Sequence, residues 1–131
     1  PPTLSDIEEI AADLLGAMPE DLLEHIDDLV LQIEDFPDEA TEQELDLEDQ
    51  YELLALYKGG GEISPGVEKK TADKDDTLIL YRRPIIDMWS ETGEHLAILL
   101  RQVMIEEIAR QFDFADDQID DMVQNHNSEF L

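Results

Sequence analysis

The sequence contains no cysteine, and its first 57 residues contain no lysine or arginine. Without cysteine the chain can form no disulfide bond and offers no thiolate ligand to a metal ion. No apolar run approaches the roughly 18–20 residues that a membrane-spanning helix needs, so we expect no association with membranes. The opening residues, Pro1 to Asp6, lack the basic and apolar regions of a secretion signal. In the absence of a targeting signal, we expect a cytoplasmic protein.

Basic residues are scarce throughout, since eight Lys and Arg stand against 35 Asp and Glu, for a net charge of −27. Nineteen of the acids lie in residues 1–57, and all eight basic residues lie between Lys58 and Arg110. This charge repels nucleic acids and anionic membranes, so we expect no nucleic-acid partner. Three interpretations stay open: solubility in a high-salt cytoplasm, binding of a basic partner protein, and mimicry of a nucleic acid.

The apolar content is sufficient for a hydrophobic core. Hydrophobic residues make up 42% of the 131 residues, beside 33% charged residues. A length of 131 residues indicates a single domain. We expect that domain to span residues 1–131, with 124–131 as a frayed tail.

The N-terminal half predicts a helix, a short helical turn and a strand. Ser5 is a candidate N-cap, with Glu8 completing a capping box, and Pro19 ends the helix. The apolar positions that share one helical face are Ile7, Ile10, Ala11, Leu14, Leu15 and Met18. Residues 20–26 predict a second short turn, and 29–34 predict a strand.

The middle of the chain predicts two more strands and two loops. Residues 38–50 are acidic and weakly patterned, which indicates a loop or a loose helical turn. Strands are predicted at 53–57 and 77–81, and the long polar stretch 62–76 is predicted as a loop. Arg82 and Arg83 are placed at the end of the second of these strands. Pro84 suits the first turn of a helix.

The C-terminal part predicts one long helix, at about 94–112, after a break at Gly93. Its predicted inner face contains Leu96, Leu99, Leu100, Val103 and Glu107, flanked by Ala97, Met104 and Ile108. Asp116 is a candidate cap for a last short helix that runs through Met122. The predicted fold is therefore α+β: an N-terminal helix, a small sheet of about three strands, the long helix and a short C-terminal helix.

Three stretches together resemble one family. Residues 53–59 read LLALYKG, residues 80–85 read LYRRPI, and residues 106–112 read EEIARQF. In this order they resemble L-L-G-L-Y-x-G, L-Y-R-R-P-I and H-E-I-A-H-H-F of the minimal zincin-like metallopeptidases of bacteria. The resemblance extends from about Ile7 to Met122 and implies a zincin-like fold.

The resemblance also implies a set of functional positions. In the family, two histidines at i and i+4 bind zinc, and the glutamate after the first histidine is the general base. A third ligand follows ten residues after the first histidine. The general-base position is occupied here by Glu107. The metal-ligand positions are occupied by Glu106, Arg110 and Asp116.

These substitutions change the expected chemistry. Arginine has no lone pair to donate to a metal and stays cationic. We expect Arg110 to form an ion pair with Glu106, one helical turn away. The three histidines, His25, His95 and His126, have no i, i+4 partner histidine. We therefore expect no bound metal and no cofactor, although the family resemblance implies zinc.

Further candidate residues surround these positions. The candidate cleft residues are Tyr57, Tyr81, Arg82 and Arg83. The two arginines either lie exposed or pair with the acidic N-terminal half; alternatively, they hold an anionic or peptide carboxylate ligand near the cleft. The carboxylates that could form a site for Ca²⁺, Mg²⁺ or Mn²⁺ are Glu106, Glu107, Asp113 and Asp116.

We expect a metallopeptidase-family protein that has lost zinc binding and peptidase activity and is retained as a binding domain. Its partner would be an extended peptide or a basic protein. Two alternatives stay open. One is an active hydrolase with a remodelled metal site. The other is an acidic interaction protein or a salt-adapted protein.

Overall fold

The computed structural model of the protein describes residues 1–60, 62–64, 67–68 and 75–127, with side chains for 1–60 and 75–125. Within these residues the chain forms six helices and five strands. The helices are Leu4–Gly16 (α1), Glu20–Leu23 (α2), Glu39–Glu44 (α3), Arg82–Thr92 (α4), Leu96–Gln111 (α5) and Asp116–Asn127 (α6). The strands are Val30–Glu34 (β1), Ala55–Lys58 (β2), Glu62–Ser64 (β3), Val67–Glu68 (β4) and Thr77–Tyr81 (β5). No helix in the described ranges combines the length and apolar content needed to cross a membrane.

The main sheet has three strands in the order β1-β5-β2, which confirms the predicted α+β fold with about three strands. β5 lies in the centre, parallel to β1 and antiparallel to β2. Its central position explains its nearly continuous apolar sequence, since Leu78 and Leu80 are fully buried. The core fills the space between one face of this sheet and helices α1, α5 and α6.

β2 is an outer strand of this sheet. Its pairing with β5 determines which of its residues bond β5 through their backbone groups and which point away. The backbone N–H of Tyr81 donates to the carbonyl of Leu54 at 2.9 Å, one residue before β2 begins. In an antiparallel ladder, successive residues alternate between bonding the partner strand and pointing away from it. Ala55 and Tyr57 therefore direct their backbone N–H and C=O groups away from β5, and both residues are nearly fully buried, at 5% and 6% exposed.

The N-cap of α1 lies two residues before the predicted cap, Ser5. The N-cap is Thr3, whose hydroxyl accepts the backbone N–H of Asp6 at 3.1 Å, while the Asp6 carboxylate accepts the N–H of Thr3 at 2.9 Å. The prediction of Ser5 with Glu8 was wrong because Thr3 and Asp6 have the same spacing. The earlier pair satisfies both N-terminal donors and adds residues to the helix.

Two of the predicted loops contain short elements. Within residues 38–50 the chain forms α3, capped by Asp38, whose carboxylate accepts the N–H of Thr41 at 2.8 Å. Within the predicted loop 62–76, β3 and β4 pair antiparallel as a separate two-stranded sheet. The remainder of that loop, 65–66 and 69–74, lies outside the described residues.

α4 follows β5 without a connecting loop. Arg82 and Arg83 are its first two residues, so the prediction that they end the strand was wrong. Pro84 lies in the first turn, as predicted, where its missing N–H has no helical acceptor to lose. Gly93 ends the helix in a left-handed conformation, with φ of +70°, and its N–H donates to the carbonyl of Trp89.

The inner face of α5 is rotated from the predicted one. Leu99 and Leu100 are buried as predicted, but Val103 is only partly buried, and Arg101 is 1% exposed. The buried residues of α5 are Leu99, Leu100, Arg101, Met104, Ile105, Ile108 and Ala109. The prediction omitted Arg101 and Ile105 because it assumed one neighbour, the sheet, whereas α6 covers a second side of the helix.

The guanidinium of Arg101 reaches from α5 to α6. It donates to the carbonyls of Val123 at 3.4 Å and Met122 at 3.5 Å. Asp116 is the first residue of α6 rather than its cap, because the N–H of Ile119 bonds the carbonyl of Ala115 at 3.0 Å. The helix continues to residue 127 instead of ending at Met122, and 128–131 lie outside the described residues.

Candidate functional site

The last two turns of α5 lie against β2 and carry the charged residues that the sequence singled out. Glu107 faces the strand, and its side chain is only 19% exposed. Glu106 is partly buried, and the side chain of Arg110 is 67% exposed. The helix therefore presents a nearly buried carboxylate to β2 and an exposed guanidinium to solvent.

The carboxylate of Glu107 is paired with Arg110, whose Nη1 lies 3.1 Å from its Oε2. Burial raises the pKa of Glu107, and the charge of Arg110, followed by the backbone N–H of Tyr57, opposes that rise. Glu107 is thus a largely buried carboxylate with one cationic partner.

The predicted ion pair between Arg110 and Glu106 was wrong, because Arg110 pairs with Glu107 instead. Oε1 of Glu106 accepts a hydrogen bond from Nε2 of Gln102 at 2.8 Å, one turn earlier in the helix. Arg110 can reach either glutamate, since Glu107 lies three and Glu106 four residues before it on the helix. Because the carboxylate of Glu107 is largely shielded from water, pairing it with the cation is favourable.

The side chain of Tyr57 packs against the C-terminal end of α5. The ring is 6% exposed and meets Phe112 edge-to-face, with centroids 5.6 Å apart. Its hydroxyl donates to the carboxylate of Asp76, which also accepts the N–H of Gly60 at 2.5 Å. Burial, followed by the bond to Asp76 and its charge, raises the pKa of Tyr57.

The other candidate cleft residues have local structural partners. Tyr81 is 1% exposed, and burial together with nearby carboxylates raises its pKa to about 12. Arg82 donates to the carbonyl of Pro2 at 2.6 Å and pairs with Asp35 at 3.1 Å. This agrees with the interpretation that the arginines pair with the acidic N-terminal half.

Arg83 lies over an aromatic ring. Its guanidinium carbon is 5.7 Å from the ring centroid of Phe36, a cation–π distance. Phe36 in turn meets Tyr51 edge-to-face. Arg83 therefore stacks on the segment that follows β1.

Asp116 stands in the first turn of α6 and is exposed to solvent. A carboxylate there is favoured by the partial positive charge of the helix N-terminus. Across the side chains that the structure describes, no group of three or more His, Cys, Asp or Glu is arranged to hold a metal ion.

A cavity of about 350 Å³ beside Tyr57 was not anticipated from the sequence. Five of its lining residues are carboxylates, and the ring of His25 stacks on Phe112 at 4.5 Å near them. The lining residues are Glu24, His25, Asp27, Asp28, Leu29, Tyr57, Asp75 and Asp76. The acidic pairs 27–28 and 75–76 flank predicted strands, but only the parallel pairing of β1 with β5 brings them together.

An antiparallel edge strand that runs along a helix carrying a buried glutamate defines a small domain of the zincin-like class. The chain matches the family of zincin-like metallopeptidases over residues 26–126 and belongs to this family. The resemblance stated from the three sequence stretches is thereby confirmed. Among curated proteins, no sequence matches this chain.

The zinc ion of the family does not fit the residues at the corresponding positions. Arg110 stands at one ligand position, has no lone pair and is ion-paired with Glu107. Glu106 stands at another, and its Oε1 is bonded to Gln102. A zinc site needs three or four converging donors, and the three ligand positions hold the carboxylates of Glu106 and Asp116 and the cation of Arg110.

Proposed function

We propose that this zincin-like protein has lost zinc binding and peptidase activity and serves as a peptide-binding domain. The observation that carries the proposal is the ion pair of Arg110 with Glu107, since it places a fixed positive charge on the turn that binds the metal in the family. A glutamate held in this way has no metal-bound water from which to take a proton.

The outer position of β2 in the described three-stranded sheet supports the peptide-binding part of the proposal. The backbone groups of Ala55 and Tyr57 point away from β5, and because these residues are only 5% and 6% exposed, the proposal requires that peptide binding uncovers them. An extended peptide can add to such an edge through main-chain hydrogen bonds. The acidic cavity beside Tyr57 favours peptides with lysine or arginine side chains.

A peptide of alternating threonine and lysine, with blocked ends, tests this binding. We expect it to bind and to shift the backbone amide resonances of Ala55 and Tyr57. Because the net charge of −27 attracts any cation, the matched control is the same peptide methylated on every backbone nitrogen. Equal binding of both peptides would overturn strand addition, since methylation removes the donors and keeps the charge.

Restoring the family residues tests the loss of the metal site. We expect the double replacement Glu106→His with Arg110→His to bind zinc, because two imidazoles at i and i+4 face the same way. The control is Asp117→His with Asp121→His, an exposed pair of the same spacing on α6. If the α5 pair binds zinc no more tightly than this control pair, the metal-site geometry of the family is not retained.

The acidic cavity also favours a second candidate function, the binding of a basic partner protein. Its five carboxylates line one cavity, in a chain with few basic residues. Such binding would be strongly salt-dependent and insensitive to peptide N-methylation. Binding of the unmethylated and the N-methylated peptide, compared over a salt series, therefore separates the two candidates.

A further inference from the structure

β1 is the other outer strand of the main sheet, and it differs from β2 in its exposure to solvent. None of its five residues is buried, and Val30 is 45% exposed. By contrast, Ala55 and Tyr57 of β2 are 5% and 6% exposed. β1 is therefore the outer strand that solvent reaches directly.

The backbone groups that β1 leaves unpaired belong to Leu31 and Ile33. In a parallel ladder, alternate residues bond the partner strand through both their N–H and their C=O. The N–H of Val30 donates to the carbonyl of Asp76 at 2.9 Å, so the bonded set starts at Val30 and skips Leu31 and Ile33. Among the hydrogen bonds between residues that the structure describes, none uses the N–H or C=O of these two. Such an edge is a template for another strand.

The two faces of β1 differ in polarity. The side chains of Leu31 and Ile33 pack against the hydrophobic core. On the opposite face, Nε2 of Gln32 donates to Oε2 of Glu34 at 2.7 Å. An added strand whose basic side chains alternate with uncharged ones would match both faces, since neighbours on one face of a sheet interact across strands.

Acidic residues lie at the end where β1 begins. Asp27, Asp28 and Leu29 lead directly into the strand and line the cavity of about 350 Å³ that holds five carboxylates. No lysine or arginine occurs in residues 1–57. The edge therefore favours a cationic strand. The net charge of −27 opposes pairing with the β1 of a second copy.

We propose that the outer edge of β1 binds an extended segment of a basic partner protein, which adds as a further strand and places a lysine or arginine side chain in the acidic cavity. The backbone groups of Leu31 and Ile33 supply the main-chain bonds, and Asp27 and Asp28 select for positive charge. This edge is opposite to β2 in the sheet, and the inference does not depend on binding at β2.

The threonine–lysine peptide and its N-methylated form test this edge. We expect the unmethylated peptide to shift the backbone amide resonances of Leu31 and Ile33, and the methylated peptide to leave them unchanged. Shifts confined to Ala55 and Tyr57 would overturn the inference and leave the proposed function standing. Shifts confined to Leu31 and Ile33 would do the reverse, and if neither pair shifts, both fail.

The variant Leu31→Pro removes one outward donor, and Leu31→Ala is its matched control. Both remove the leucine side chain from the core, but only proline removes the N–H. Proline is tolerated in an edge strand where the N–H faces solvent. We expect the proline variant to bind the peptide about fivefold more weakly than the alanine variant, the effect of one main-chain hydrogen bond. Equal affinities overturn strand addition, and the amide shifts of the unaltered protein decide if the proline variant does not fold.

Replacing the acids at the start of β1 tests the cavity. The variant Asp27→Asn with Asp28→Asn is compared with Asp120→Asn with Asp121→Asn, an adjacent exposed pair on α6 whose loss changes the net charge equally. We expect about threefold weaker peptide binding with the first pair than with the second. Equal effects would overturn the placement of a basic side chain in the cavity. A dimer of the protein without peptide, lost in Leu31→Pro, would assign the edge to a second copy instead.

Discussion

At the scale of single residues, the site depends on Glu107, a largely buried carboxylate that is paired with Arg110. Burial is the largest influence on the pKa of Glu107 and raises it, although the charge of Arg110 acts in the opposite direction. The folded state therefore prefers the protonated carboxyl more than the unfolded state does. The charged carboxylate at this position thus costs the folded state some stability at neutral pH.

The replacement Glu107→Gln measures that cost. Because the folded-state pKa of Glu107 lies above its ordinary value of 4.5, the folded protein binds more protons in the pH interval between the two values. Its stability relative to the variant falls as the pH rises through that interval. We expect Glu107→Gln to have the higher melting temperature at neutral pH and the difference to shrink below about pH 4.5.

The control for this experiment is Glu9→Gln, which removes an equal charge from an exposed position on α1. Removing any one carboxylate relieves some repulsion among the acidic side chains of this chain and raises the melting temperature. The Glu9→Gln variant measures this general effect, so that it can be subtracted from the effect of Glu107→Gln. A lower melting temperature for Glu107→Gln than for Glu9→Gln at neutral pH would show that the ion pair with Arg110 outweighs the burial of the carboxylate.

At the scale of helices and strands, most boundaries followed from local patterns. β5 was predicted at its observed limits because a central strand is apolar on both faces. The orientation of α5 was not predicted correctly, since burial of Arg101 depends on carbonyls of α6 that lie more than twenty residues later. The pairing of Arg110 with Glu107 rather than Glu106 was missed for a related reason. The packing of α5 against β2 determines which of the two glutamates is more buried, and the sequence of α5 alone does not show this packing.

Two glycines at helix ends provide a test at this scale. Gly93 has φ of +70°, and a Cβ there would meet nothing within 4 Å, so only backbone strain opposes alanine. We expect Gly93→Ala to lower the free energy of unfolding by about 1–2 kcal/mol. Gly16 has the same open surroundings at the end of α1, without the positive φ.

Gly16→Ala is thus the matched control, and we expect it to stabilise the protein by roughly 0.5–1 kcal/mol. Denaturant unfolding of both variants gives the comparison. Equal effects of the two replacements would contradict the left-handed conformation assigned to Gly93.

At the scale of the whole molecule, charge dominates. The ion pairs between described side chains of Lys or Arg and Asp or Glu are Arg82 with Asp35 and Arg110 with Glu107. The net charge of −27 leaves most carboxylates repelling one another. The excess of acidic over basic residues is visible in the sequence alone. The acidic cavity is not, because its carboxylates come together only when β1 pairs with β5.

Added potassium chloride should therefore raise the melting temperature at neutral pH, because salt screens repulsion beyond about 10 Å already at 0.1 M. We expect the gain to diminish near pH 4, where carboxylates begin to protonate. Thermal unfolding over a salt series at both pH values provides the measurement. A melting temperature that does not respond to salt at neutral pH would contradict the role assigned to repulsion.

The central claim is that a guanidinium has replaced a zinc ligand in a member of a metallopeptidase family. The zinc content of the unaltered protein, purified without chelators and measured per chain, tests it most directly. We expect far less than one zinc per chain, even after incubation with the metal followed by removal of the excess. One tightly bound zinc per chain would contradict the claim and favour a hydrolase with a remodelled metal site.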